Sequence, residues 1–433
     1  MTEINSDRLE TIFALSSGAA PSAIAIVRIS GPKAFEAVKR LAGELPPPRH
    51  AGLRTLCSSA GAVLDEALVI LFPGPNSASG EDLAELHLHG GRAVVRAVEN
   101  ELSSMDGLRA ALAGEYTRRA FENGRIDLNQ ADGLSDLLFA ETERQRKAAM
   151  GMMGGAFGER IALWQDDLLQ ISALIESELD FSDEDDVDSG SKNALRARAE
   201  ALKTSIDDVL SAPPLERLRD GIKVVLGGPP NSGKSTLLNA LVGRDAAIVS
   251  DIAGTTRDVI EIPVSLGGMA FIFLDTAGVR DDSEDIIEGI GIERARKAFA
   301  QADLILWLGG DELILSGDQR LIKISAKNDI EGVLNDGLSL SAKTGDGMDK
   351  LISKIISISS DMIPAEDGFA VNMRQRKQLT EVSQTLMALS ASDDWLIMGE
   401  NARLARLAFD NLTGRAHTEE LLDNLFGKFC IGK

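Results

Sequence analysis

A chain of 433 residues has room for roughly two to four domains, each able to bury its own core. Its 45 Lys and Arg against 67 Asp and Glu leave a formal charge of −22, which opposes non-specific nucleic-acid binding through the summed surface field, so any RNA contact is expected to be local. Two Cys exclude a disulfide framework, the dispersed His50, His87, His89 and His417 give no closed zinc pattern, and no apolar run reaches the ~18 residues needed to span a bilayer.

The opening stretch, MTEINSDRLE, lacks the basic and apolar regions of a signal peptide, so the chain reads as cytoplasmic with no membrane partner. Up to about residue 120, strand and helix signals alternate. AIAIVRIS and EALVILF are rich in β-branched residues, whereas PKAFEAVKRLAG opens with Pro and closes with Gly as a helix does. LPPPRH is a stiff connection within this α+β domain. His87 and His89 alternate along a strand-like stretch and would share a face; a metal site there is the less favoured reading. From about 125 to 212 the pattern is helical, with Ile161, Trp164, Leu168, Ile171 and Ile175 recurring every three or four places. ELDFSDEDDVDSGS then reads as a solvated acidic loop. A compact α/β unit follows, bounded by SAPPLERLRDG and DMIPAEDG. Helical periodicity returns after Pro364 with Leu379, Val382, Leu386 and Leu389, and again with Leu421, Leu422, Leu425, Phe426 and Phe429. The architecture expected is a multidomain α/β chain: an N-terminal α+β domain (1–122), a discontinuous helical domain (123–214 and 366–433), and an inserted domain (215–365) whose loop GPPNSGKS between strand and helix points to a Ras-like P-loop GTPase domain.

That inserted unit carries the strongest signal. IKVVLGGPPNSGKSTLLNAL places Gly228, Gly233, Lys234 and Ser235 in the pattern G-x-x-x-x-G-K-S, directly after a β-branched strand and before a helix. Backbone N–H groups of such a loop face phosphate oxygens, the helix N-terminus adds partial positive charge, Lys234 reaches the outer phosphates and Ser235 ligates magnesium. FIFLDTAG ends a strand in Asp275, suited to the magnesium shell, with the Gly278 amide available to the γ-phosphate. In SDIAGTTRD, Thr255 or Thr256 can complete that shell, which makes the segment a switch. SAKNDI supplies Lys327 and Asp329 for guanine, and LSLSAKTG supplies Ser341, Ala342 and Lys343 for the base-side loop. Ala326 stands where N-K-x-D has Asn, so preference for GTP over ATP rests on Asp329. Val279 occupies the place after D-T-A-G where Ras-like GTPases carry a water-orienting Gln. The charge of transfer then needs another cation, and the Asn231 side-chain oxygen is placed to bind one; Arg257 is the competing candidate.

Taken in order, GPPNSGKS, DIAGTTRD, DTAG, IEGIGIER and a terminal CIGK, preceded by IVRISG, ELHLHGG and GEYTRRAFENGRIDLNQAD, resemble the family of bacterial tRNA uridine-modifying GTPases known as MnmE or TrmE, over essentially the full length. The resemblance implies that the N-terminal domain dimerises and binds a tetrahydrofolate derivative (5-formyl or 5,10-methylene) through Arg28, Glu85, Arg125 and Lys433. Arg125 stands where a Lys is frequent, which keeps the charge and alters the geometry. It implies potassium held by Asn231, Ser250, Ile252 and Thr255, with magnesium held by Ser235 and Thr256. The GTP-contacting set it implies takes Asn231, Ser232, Gly233, Lys234, Ser235 and Thr236 from the loop. Ser250, Asp251, Ile252, Ala253, Gly254, Thr255 and Thr256 come from the switch, and Asp275, Thr276, Ala277 and Gly278 from the following strand. Glu288, just before IGIER, takes the water-orienting role, although its distance from Asp275 is one residue longer than the family's commonest spacing. The homodimer is implied to join an FAD-dependent partner of the MnmG (GidA) type in a heterotetramer, which consumes NADH and adds an aminomethyl or carboxymethylaminomethyl group to the wobble uridine of certain tRNAs.

LFGKFCIGK puts Cys430 fourth from the end. The placement mimics a prenylation box, but Gly432 and Lys433 do not suit one. A buried, inert thiol is the alternative; the resemblance favours a functional one beside folate and tRNA. Two basic clusters, Arg144, Arg146 and Lys147, and Arg374, Arg376 and Lys377, read as solvated helix faces rather than RNA patches. A ribosome-assembly GTPase is the rival class, and it would normally append a basic RNA-binding module that this chain lacks.

Overall fold

The computed structural model describes residues 10–180, 189–229, 231–244, 260–275, 298–309, 320–326, 337–366, 368–416 and 419–432. The chain divides into two compact units, Met1–Ser135 with Asp410–Lys433, and Asp136–Phe409.

The first unit is built on a six-stranded sheet. In chain order come β1 (Thr11–Leu15), β2 (Ile24–Ser30), α1 (Ala34–Ala42), β3 (Gly52–Cys57), β4 (Val63–Phe72), β5 (Leu83–His89), α2 (Arg92–Ser103), β6 (Leu108–Ala110), α3 (Glu115–Glu122) and α4 (Leu128–Leu138). The strands lie in the order β3-β4-β5-β2-β1-β6, antiparallel throughout except that β6 runs parallel to β1. Period-2 alternation decides which face is covered. Ala25, Val27 and Ile29 of β2 and Leu86 and Leu88 of β5 point into a core closed by Val38 and Leu41 of α1 and Val95, Val98 and Leu102 of α2. The alternate residues, Arg28 on β2 and Glu85, His87 and His89 on β5, occupy the other face. The chain's last described helix, Glu419–Phe426, belongs to this unit, with Phe426 ring centroids 6.1 Å from both Phe121 and Phe429. Beyond it, Ile431 bridges Ala113, and a Cβ at Gly432 would stand 2.2 Å from the Leu15 carbonyl, so the tail lies against the end of β1.

The second unit combines long helices with a second sheet. The helices are α5 (Glu143–Met153), α6 (Ala156–Asp180), α7 (Ser189–Ser211) and α8 (Leu215–Arg219), followed by α9 (Lys234–Arg244), α10 (Met348–Ser360), α11 (Met373–Ala391) and α12 (Trp395–Thr413). The stripe read from sequence on α6 is buried from Ile161 to Ile175, and Trp164 sits 6.3 Å from Phe409 with its indole N–H donated to Ser205 Oγ at 3.0 Å. Leu379, Val382, Leu386 and Leu389 bury the matching stripe of α11. The sheet contains β7 (Ile222–Gly227), β8 (Ile260–Leu266), β9 (Met269–Asp275), β10 (Leu304–Trp307), β11 (Leu321–Ala326) and β12 (Leu338–Leu340) in the order β12-β11-β10-β7-β9-β8. Only the β8–β9 pair is antiparallel. Among the described residues no helix is long and apolar enough to cross a membrane.

Candidate functional site

The nucleotide loop leaves β7 at the carboxyl edge of the parallel strands, where open α/β sheets place their ligands. Gly228 has φ +142°, and a Cβ there would lie 2.3 Å from the Leu308 carbonyl oxygen, so only glycine fits this turn. Asn231 is exposed and adopts φ +61°, a left-handed conformation that Asn tolerates better than most residues. Lys234 is buried at the start of α9 and folds back, donating to the carbonyls of Gly228 and Pro229 at 2.9 Å each. Its ammonium therefore sits inside the loop's concavity. Ser235 and Thr236 follow, exposed on the first helical turn, where the helix dipole favours an anion. The Ser232 hydroxyl is buried with no partner among the described residues. The set fits a phosphate chain and its cation: inward positive charge, an exposed hydroxyl at the helix start, and an amide-bearing left-handed residue beside them.

The neighbouring strands bring further expected residues to the same edge. Asp275 ends β9 in register with Leu226, two residues ahead of Gly228. Ala326 and Leu340 are paired at the ends of β11 and β12, so the two strands end at one level. Ser341 is buried within a tight turn, its N–H donated to the Asp346 carbonyl at 2.9 Å and its Oγ accepting from Thr344 N; Ala342 is half-buried and Lys343 exposed. Ser250, Asp251, Ile252, Ala253, Gly254, Thr255, Thr256, Arg257, Thr276, Ala277, Gly278, Val279, Glu288, Lys327, Asp329 and Lys433 lie outside the described residues.

In the first unit, Arg28 and Glu85 stand directly opposite across β2 and β5. Arg28 Nη2 and Nε reach Glu85 Oε1 at 2.9 and 3.2 Å, and the pair is half-buried on the face opposite the main core, where the Arg28 guanidinium lies 5.8 Å over the Tyr116 ring. His87 Nε2 is 3.3 Å from the other Glu85 oxygen. His89 is engaged by Asp65 through both its ring (2.7 Å) and its backbone N–H (2.8 Å). On the same face, buried Tyr116 donates its hydroxyl to the Arg28 carbonyl at 2.6 Å, and burial pushes its pKa well above the ordinary tyrosine range. The pair fixes a guanidinium and a carboxylate side by side, offering charged donors and an acceptor on one patch. Arg125 is exposed just past α3, its N–H bonded to the Ala120 carbonyl. Cys430 is exposed, which overturns the buried-thiol alternative.

Sequence reasoning missed the polar network beneath this face. Buried Arg119 binds Glu81 at 3.1 Å and Glu115 at 3.0 Å, and Arg109 binds Glu115 at 2.7 Å. The Glu115-to-Arg119 spacing of four on α3 was a visible signal; the Glu81 partner, 38 residues away, was not. The basic clusters turn out to be committed locally. Arg144 and Lys147 bind Glu366, Arg146 binds Glu143, and Arg376 donates to the carbonyls of Leu210 and Ala212 at the end of α7.

Comparison with known proteins matches residues 11–125 to the GTP-binding protein TrmE N-terminus and residues 128–430 to the MnmE helical domain. A relative from Erythrobacter litoralis, named tRNA modification GTPase MnmE, is 51% identical over 98% of this chain and 100% of its own length. Relatives of the same name from Rhizorhabdus wittichii and Zymomonas mobilis are 50% and 45% identical, each over 98% of this chain and 97% and 100% of theirs. Among solved structures, the G domain of the T. maritima FeoB iron transporter aligns over 32% of this chain and 98% of its own at 23% identity, with a TM-score of 0.24 that adds nothing to the assignment. With both family regions matched and half the residues shared over nearly the whole length, the chain belongs to the MnmE (TrmE) family of tRNA modification GTPases.

Proposed function

We propose that this protein is a potassium-activated GTPase that works as a homodimer in the cytoplasm with an FAD- and NADH-using partner of the MnmG type. Together they add a (carboxymethyl)aminomethyl group to C5 of the wobble uridine of certain tRNAs, using a carbon carried by tetrahydrofolate. The observation that supports this reading most directly is Asn231, held exposed in a left-handed conformation on a loop whose lysine already points inward.

In the proposed mechanism Lys234 exchanges its two loop carbonyls for phosphate oxygens of GTP, and the α9 N-terminus receives the remaining charge. Ser235 and Thr256, with Asp275 beside them, would hold magnesium. Asn231, with Ser250, Ile252 and Thr255, holds potassium. The two cations, when bound, supply the positive charge that an arginine finger gives elsewhere. Glu288 orients the attacking water, a role that Val279 cannot fill for lack of a hydrogen-bonding group. Asp329, Lys327 and the 341–343 turn select guanine. Arg28, Glu85, Arg125 and Lys433 bind the folate, and Cys430 acts beside it.

The test is multiple-turnover GTP hydrolysis with magnesium, in potassium and then in sodium at equal ionic strength. Fast turnover in potassium alone is expected. Equal, slow turnover in both salts would overturn the potassium assignment and point to an external activator.

A further inference from the structure

The loop between β4 and β5, residues 73–82, is pinned unusually well for a surface connection. Ser77 and Ser79 are buried, and Ser79 Oγ lies 2.6 Å from Ser30 Oγ on β2, two residues beyond Arg28. Ser30 also donates to Glu81 Oε2 at 2.8 Å, and Glu81 is clamped by Arg119. On its outer side the same loop meets the segment that carries Arg125. Asn123 Nδ2 donates to the Ser79 carbonyl at 2.8 Å. Gly80, at φ +82°, comes so close that a Cβ there would stand 2.7 Å from Asn123 Cβ and 3.2 Å from Arg125 Cγ.

The geometry points to Asn123 as a positioning residue for folate binding: through the 73–82 loop it ties the Arg125 segment to the strand bearing Arg28. This inference rests on the folate reading above. An exposed arginine just past a helix end would otherwise sample many directions, and ordering it at the moment of binding costs affinity. The bond from Asn123 to Ser79, together with the glycine contact under Arg125, fixes the base of that side chain beforehand. The Arg28–Glu85 pair needs no such help, because cross-strand register already sets it.

The experiment is a double-mutant cycle on the full chain, read as the affinity for 5-formyltetrahydrofolate by titration, with thermal unfolding run alongside. Asn123→Ala is expected to weaken binding roughly five- to tenfold, the scale of one lost hydrogen bond, with little change in unfolding temperature. In an Arg125→Ala background the same substitution should add less than about twofold, because coupled residues do not add. Gly80→Ala, which pushes on both Asn123 and Arg125, should also weaken binding and also lose its effect in that background. Undiminished affinity of Asn123→Ala, or a full further loss on top of Arg125→Ala, would overturn the inference. A wild-type protein that fails to bind 5-formyltetrahydrofolate would overturn the folate reading itself.

Discussion

Lys234 is the residue whose surroundings say most about its chemistry. A buried ammonium satisfied by two main-chain carbonyls is ready to exchange them for phosphate, because charge-assisted contacts to an anion are worth more than contacts to neutral acceptors. Lys234→Ala is expected to lower GTP affinity by about 100-fold, as loss of a charged hydrogen-bonding group at a buried site implies, measured with a fluorescent guanine nucleotide. Lys234→Arg should not restore it, since the planar guanidinium cannot enter a loop shaped around a point charge. Glu115 makes a different case. Burial alone would raise its pKa, but the hydrogen bond from Arg109 and the backbone bond from Leu112 outweigh it, so the carboxyl is held below its ordinary value of 4.5. A depressed acid contributes stability that is present above its unfolded pKa and lost as pH falls through the folded one. Unfolding temperature should therefore drop on acidification below about pH 4.5, and Glu115→Gln should flatten that limb while costing stability at pH 7.

Among the elements, α8 has an importance out of proportion to its five residues. It immediately precedes β7 and the nucleotide loop, and several neighbours hold it. Gln145 of α5 donates to the carbonyls of Leu218 and Arg219 at 3.1 and 3.0 Å, Glu216 accepts from the first N–H of α11, and Arg217 pairs with Asp303 ahead of β10. Gln145 is buried, and its other end completes the capping box of α5 with Thr142. Gln145→Leu keeps the volume but strands both the α8 carbonyls and the amides of Glu141 and Thr142 ahead of α5, so a loss of about 2–4 kcal/mol in unfolding free energy is expected by denaturant titration. A loss under ~0.5 kcal/mol would mean that water replaces the amide. How much of this was legible follows from the range of each signal. Thr142-x-x-Gln145 is a local pattern, and the stripe from Ile161 to Ile175 is a local period; both can be read along the chain, as can the phosphate loop between its strand and helix. Partners such as Gln145 with Leu218, Glu81 with Arg119, or Ile431 with Ala113 are set by how distant segments pack, and no spacing in one sequence encodes them.

At the scale of the whole molecule, the net charge of −22 and the fate of its basic clusters bear on the same question. An acidic chain can bind tRNA only where cations outnumber anions locally. The α5 cluster does not provide this. Arg144 and Lys147 both contact Glu366, Lys147 at 2.9 Å, and Arg146 is matched by Glu143 at 2.7 Å. Lys147 holds the Glu366 carboxyl below its ordinary pKa, so that carboxylate is charged throughout the neutral range and offsets the cations beside it. On the proposed reading, much of the tRNA's phosphate backbone is then carried by the partner. Arg144→Ala combined with Lys147→Ala should change the affinity of the isolated chain for tRNA by less than about twofold and leave the slope of log affinity against log salt unchanged, whereas removing a side chain that neutralises a phosphate would reduce that slope by close to one. Filter binding at several salt concentrations decides it. A shallower slope with a tenfold weaker complex would make α5 a tRNA surface after all, with Glu366 the anion that RNA displaces.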